Sequence, residues 1–230
     1  MSTSWGIDIK GILLQLGENL DREGLQNTPD RVERAWQEFL EGYSLDPAEL
    51  LKTTFEAESV GLQVCKDIEF FSMCEHHLLP FFGTVAIVYR PIEHLCWYVE
   101  WPEDMQRKGK KCPYLTEPKV PCKGTRAECR KRGMVRHLGY WPGEHGRVAG
   151  LSKLARLVDC YARRLQIQER MTQQIADALF EHLEPKGVLV ICKANHLCCG
   201  GRGIRRSRME FKTQAECGEV DDTFWRMLQC

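Results

Sequence analysis

The chain has 230 residues, 43% of them hydrophobic, enough for a full-sized core and against wholesale disorder. Its 32 basic and 32 acidic residues cancel to a formal net charge of zero, so nothing global points to nucleic acid or another polyanion. The 12 cysteines, ~5% of the chain, fall short of a disulfide-stapled secreted scaffold, and no apolar run is long enough to span a bilayer. The N-terminus MSTSWGIDIK lacks a signal-peptide pattern, so a soluble, cytoplasmic protein with reduced or metal-bound thiols is expected.

In chain order, Ile9, Ile12, Leu13, Leu16 and Leu20 have helical spacing over 7–20, weakened by Gly11 and Gly17. A second helix is predicted with Thr28 as N-cap and Pro29 at its first position, an apolar stripe from Val32 to Leu40, and Gly42 as its stop. Strands are predicted over 62–71 and 82–89, joined by the short loop CEHHLLP. Helical stripes follow at Leu151–Tyr161 and Met171–Leu183, the latter stopped by Pro185 and Gly187. Residues 187–194 are β-rich, and 208–212 are a candidate final strand. The order β, β, α, α, β, β predicts an α+β fold with two helices on one sheet face. N-terminal helices (1–60) precede a catalytic domain (61–230) interrupted by a distinct segment at about 92–147.

That segment breaks the overall charge balance. Between Glu103 and Arg136 stand 11 basic and only 4 acidic residues, so the stretch carries +7 and the remainder −7. It also holds Cys112, Cys122 and Cys129, followed by His137. These spacings fit no standard zinc finger, and a solvated basic loop with reduced thiols is the preferred reading over a second, structural zinc site. Trp97, Trp101, Tyr114, Tyr140 and Trp141 read as anchors to the body rather than as a base-stacking surface. An aberrant insertion that weakens folding or activity is a third reading.

The chemistry concentrates in two clusters. Cys74-Glu75-His76-His77 places Cys and His two residues apart, able to reach one cation from a tight loop; His196-Leu197-Cys198-Cys199 follows a strand. Cys-x-x-His alone is common and fits thiols and imidazoles with no metal. The second cluster at a strand end shifts the reading towards a metal. Cys74, His77 and one later cysteine would supply three ligands and leave a fourth position for water, whose pKa zinc would lower. His76 and His196 would then be free for proton transfer. Ser152, Lys153 and Arg156 open a helix, and Arg202 follows Cys198 by four residues; such a group suits a polyphosphate or is an ordinary solvated helix start. Glu169, beside Gln168, could accept two N–H bonds from a guanine edge or serve as a first-turn acid.

Four stretches carry a resemblance: GLQNTPDRV at 24–32, DIEFFSMCEHHLLPFFG at 67–83, GLSKLARLVDCYARRLQIQERMTQQIADAL at 150–179 and HLCCGGRG at 196–203. In this order they resemble the GTP cyclohydrolase I family. The resemblance implies the T-fold, a ββααββ unit, in a homodecamer of two pentamers with sites at subunit interfaces. It implies conversion of GTP and water to 7,8-dihydroneopterin triphosphate and formate, a first step towards folate or tetrahydrobiopterin. Carried onto this chain, it makes Cys74, His77 and Cys198 the Zn2+ ligands and His76 and His196 the catalytic histidines. Glu169 and Gln168 fall where the family binds guanine. Ser152 (with a catalytic share), Lys153, Arg156 and Arg202 fall at the ribose and triphosphate. Arg31 and Arg34 match basic positions that reach a neighbouring subunit's site, Arg34 replacing a lysine seen in some members.

Two departures stand out. Pro91 and Gly150 are separated by 58 residues where the family uses a few. Cys199 could compete with Cys198, although the spacing to His196 and Arg202 favours Cys198. Two other functions remain in competition: a related T-fold enzyme of deazapurine metabolism, such as a nitrile reductase, and a non-catalytic T-fold assembly subunit. No membrane or nucleic-acid partner is expected.

Overall fold

A computed structural model describes residues 6–56, 61–91, 95–100, 135–140 and 147–229. The thiols Cys112, Cys122 and Cys129 lie outside the described residues, as do Trp101, Tyr114 and Trp141. For His137, Trp97 and Tyr140 only the backbone is described, in a short antiparallel ladder between β4 (Leu95–Glu100) and β5 (Val135–Tyr140).

The body is a five-stranded sheet. β2 (Gln63–Cys74) and β3 (Pro80–Arg90) form a hairpin. β8 (Gly187–His196) pairs antiparallel with β3, and β9 (Glu210–Gly218) pairs antiparallel with β8. The two-residue β7 (Leu165–Gln166) lies parallel to the end of β2, giving the order β7-β2-β3-β8-β9. A further short ladder joins β1 (Thr54–Glu56) to β6 (Arg147–Ala149).

Between the two hairpin pairs run α4 (Leu151–Ala162) and α5 (Gln168–Leu183), as the order β, β, α, α, β, β requires. Their apolar stripes, including Leu154, Leu157, Met171, Ile175 and Leu179, are buried against Val85, Ile87, Val188 and Val190 of the sheet. Side chains alternate across a strand, so the intervening Val88, Leu189 and Ile191 point to the opposite face.

That opposite face carries an element the sequence reading omitted. The chain continues past the expected final strand 208–212, through β9 to 218, and then forms α7 (Asp222–Gln229). Phe224, fully buried, packs on Val88, Leu189 and Ile191, with Trp225 and Leu228 beside it. The expectation of helices on one face is therefore incomplete: one short helix covers part of the other.

The start of α7 is tied to the sheet. Arg90 donates to Asp221 Oδ2 (3.0 Å) and to Thr223 Oγ1 (2.8 Å), and its guanidinium lies 5.1 Å from the Phe224 ring centre. Asp221 accepts from the Thr223 amide (2.9 Å) and the Thr223 hydroxyl, in the manner of an N-cap. The bonds from Thr223 and then Arg90 hold the Asp221 carboxyl down to about 2. A folded-state pKa below the unfolded value stabilises above the unfolded value, about 3.9, and the gain is lost as pH falls towards about 2. Hydrogen exchange of the α7 amides is expected to quicken selectively over that acid window, and Asp221→Asn to remove the pH dependence.

The N-terminal segment also differs in detail. The first helix is α1 (Ile9–Gln15), shorter than 7–20; it starts with Asp8 accepting from the Gly11 amide (2.8 Å) and ends before Gly17, at φ +78°. In α2 (Thr28–Phe39) the N-cap is Asn27, so Thr28 and Pro29 are its first two residues; the Thr28 hydroxyl donates back to Gly24 O. After a 3-10 turn at Glu41–Ser44 comes α3 (Pro47–Leu51). Gly42 is pressed on the C-terminal end of α4: a Cβ there would sit 2.6 Å from Cys160 O and 2.7 Å from Arg163 O. No helix among the described residues is long and apolar enough to cross a membrane.

Candidate active site

Register puts the two sequence clusters at one end of the sheet. The end of β2 faces the start of β3 (Met73 opposite Pro80), and the start of β3 faces the end of β8 (Phe81 opposite His196). Cys74 closes β2, and Cys198 lies in α6 (Leu197–Gly200), the single turn directly after β8. The strand β7 beside β2 leads into α5, bringing Gln166, Gln168 and Glu169 to the same end.

The CEHH loop is tightly closed. The amides of His77 and Leu78 both donate to Cys74 O (3.3 and 2.8 Å), and Glu75 N–H donates to Gln166 O (3.1 Å). Leu78 adopts φ +51°, a left-handed conformation that side chains other than glycine rarely take and that these bonds hold in place. Arg170 buttresses the loop by donating to Glu75, to Gln166 Oε1 (3.0 Å) and to Leu165 O (3.0 Å). This bond keeps the Glu75 carboxyl below the usual range, and its other oxygen lies 4.0 Å from His76 Nε2.

Cys74 Sγ, a ring nitrogen of His77 and Cys198 Sγ lie within 4.8 Å of one another. Cys74 Sγ is 3.7 Å from His77 Nδ1. Two thiolates and an imidazole suit zinc, and three converging protein ligands leave a coordination position open. Burial, and then the neighbouring thiols Cys199 and Cys74, push the Cys198 thiol up to about 11; a cation among the sulfurs would reverse that effect. Cys199 Sγ stands 3.9 Å from Cys198 Sγ but outside the converging group.

Cys74, His77 and Cys198 border a cavity of about 270 Å³, lined also by His76, Gln168, Glu169, His196 and Phe211. His196 is held between two aromatic rings. Its ring stacks on Phe81 (4.5 Å between centres, 2° between planes) and meets Phe211 edge-on at 5.3 Å. Burial lowers its pKa, and the charge of Glu169 works in the opposite direction.

The fold thus brings together Cys74, His76, His77, Gln168, Glu169, His196 and Cys198. The other expected site residues are absent from the cavity lining. Ser152 and Arg156 are exposed and Lys153 half-buried at the start of α4; Arg202 is exposed beyond α6; Arg31 and Arg34 are exposed on α2. The sequence reading overlooked Phe81 and Phe211, which clamp His196, and Arg170, which braces the loop. Arg170 adjoins the quoted Gln168-Glu169 pair, whereas the two phenylalanines look like ordinary alternating strand residues.

A family model for GTP cyclohydrolase I matches residues 7–96 and 132–227. The chain belongs to the GTP cyclohydrolase I family. The GTP cyclohydrolase 1 of Thermobifida fusca is 39% identical over 216 residues, covering 94% of this chain and 80% of that protein. The GTP cyclohydrolase 1 of Janthinobacterium sp. is 40% identical over 216 residues (93% and 82%), and that of Streptomyces coelicolor 38% over 218 residues (95% and 83%). The mixed α+β body agrees with the T-fold of GTP cyclohydrolase I, and this chain is an enzyme of that family. Residues 97–131 fall between the two matched stretches.

Proposed function

We propose that this chain converts GTP and water to 7,8-dihydroneopterin triphosphate and formate, using zinc held by Cys74, His77 and Cys198. The observation that carries this reading is the Cys-His-Cys convergence on the wall of a cavity that also presents His76, Glu169 and His196. Zinc bound there would supply a Lewis acid that lowers the pKa of water towards neutrality.

The chain's own residues do the remaining work. Glu169, exposed at the first turn of α5 and lining the cavity, is the acceptor for two guanine N–H groups. His76 and His196 exchange protons with the purine as its five-membered ring opens. Ser152, Lys153, Arg156 and Arg202 hold the ribose and triphosphate, and Arg31 and Arg34 reach the site of a neighbouring subunit. Since none of these six lines the cavity of a single chain, the reading includes a homodecamer of two pentamers with sites completed at subunit contacts. Anchoring the triphosphate retains the substrate through successive hydrolytic and ring-closing steps. The setting is the cytoplasm, and the division into N-terminal helices and an interrupted catalytic domain belongs to the same reading.

Zinc-loaded protein incubated with GTP is expected to release formate and a pterin that fluoresces after oxidation. Absence of both products from a metal-loaded, assembled oligomer would overturn this function.

A further inference from the structure

Gln168 is almost wholly buried at the first position of α5, 2% exposed, where polar side chains are retained only when bonded. Its Nε2 lies 3.1 Å from Cys192 O, 3.0 Å from Phe211 O and 3.2 Å from Thr213 Oγ1. Two of these partners are backbone carbonyls, which only accept. The amide therefore cannot be turned around: the end facing β8 and β9 is NH2, and the carbonyl end faces the other way.

At that other end Gln168 Oε1 stands 2.9 Å from His196 Nε2. An amide oxygen only accepts, so the imidazole nitrogen opposite must carry its hydrogen. In a neutral ring the remaining nitrogen, Nδ1, then holds the lone pair. Among the described residues no protein group hydrogen-bonds Nδ1. A half-turn of the ring would keep its stack on Phe81 but set a carbon where Nε2 now meets Gln168 Oε1, so the bond to Gln168 selects the orientation.

We infer that Gln168 is a positioning residue: it fixes His196 as the Nε2–H tautomer and leaves Nδ1 as the nitrogen available to substrate in the cavity. The strands are part of the device. Cys192 and Phe211 belong to β8 and β9, so sheet pairing orients the amide, and the amide orients the imidazole. This gives Gln168 a task separate from guanine recognition, which falls to Glu169. The inference rests on the proposed GTP chemistry for its functional meaning, but the tautomer itself can be read without turnover.

Nitrogen-15 NMR of histidine-labelled, zinc-loaded protein at about pH 8, above the ordinary imidazole pKa, tests it directly. The His196 signals, assigned by comparison with His196→Asn, are expected to show a protonated Nε2 and a bare Nδ1. A protonated Nδ1, or an even mixture of tautomers, would overturn the inference, and this measurement needs no Gln168 variant to fold. In Gln168→Met, which keeps the length but removes the acceptor, the signals are expected to become mixed. There kcat should fall roughly 10²-fold with KM for GTP and zinc content unchanged. A raised KM at unchanged kcat would instead make Gln168 a direct substrate contact and overturn the positioning role. Absence of turnover in the unaltered protein would defeat the proposed reaction, while the spectrum would still decide the tautomer.

Discussion

Cys198→Ser is expected to lose zinc and GTP turnover together, whereas Cys199→Ser keeps both. The two thiols are neighbours in sequence, with sulfurs 3.9 Å apart, so composition and exposure do not separate them. Position does. Only the Cys198 sulfur converges with Cys74 and His77 within 4.8 Å, because it leaves the single turn of α6 towards the end of β2. Serine keeps the shape but offers a hydroxyl, a far poorer partner for zinc than a thiolate. Removing an outer partner of a metal ligand already costs about 10–100-fold in affinity or activity, so losing a ligand outright should cost more. Metal content by plasma mass spectrometry, alongside formate release, checks this. Stoichiometric zinc in Cys198→Ser would refute the ligand set, and loss of zinc in Cys199→Ser would transfer the role to its neighbour.

Gly83→Ala is expected to destabilise the whole sheet. Gly83 lies within the β3–β8 pairing, near the end that carries the site, opposite Ala194. A Cβ on it would come to 1.9 Å from Lys193 O and 2.8 Å from Ala194 Cα. Both are backbone atoms, so no rotamer change relieves the clash; the strands must part or shift. A loss of about 3 kcal/mol or more is expected, at the high end for a single substitution. A typical domain has only about 5–15 kcal/mol in all, so the variant should unfold at much lower denaturant. An unchanged midpoint in urea would show that the two strands are not paired as described. The position is two residues from Phe81, so partial survivors should also show a loosened His196.

Some of this site was legible in the sequence, and the reasons are local. Cys74 and His77 share one tight loop and Cys198 follows a strand end; spacing therefore carried most of the geometry, and the family resemblance chose between Cys198 and Cys199. Gln168 was harder. Its neighbours Cys192, Phe211 and Thr213 come from β8 and β9, up to 45 residues away, and only their register reveals which way the amide points. Ser152, Lys153, Arg156 and Arg202 were marked by their own chemistry as suited to a polyphosphate, and Arg31 and Arg34 by resemblance, yet none of the six lines the cavity of a single chain. In the fold, the paired strands and the two long helices followed from periodicity. The helix at 222–229 did not, being only eight residues long, although Asp221 as a cap and the spacing of Phe224, Trp225 and Leu228 mark it in retrospect.

The register that gathers the ligands has a mechanical side. Cys74 ends β2 and Cys198 follows β8, and these strands are not neighbours: β3 runs between them. An ion shared by the two sulfurs would be a clasp across three strands at one rim of the sheet, fastened only when the chain is folded. By mass action its occupancy would then add to folding stability, and the thermal midpoint of the protein would climb with free metal concentration and drop in a chelator. Scarcity of the ion would act on how long the molecule lasts as well as on how fast it works.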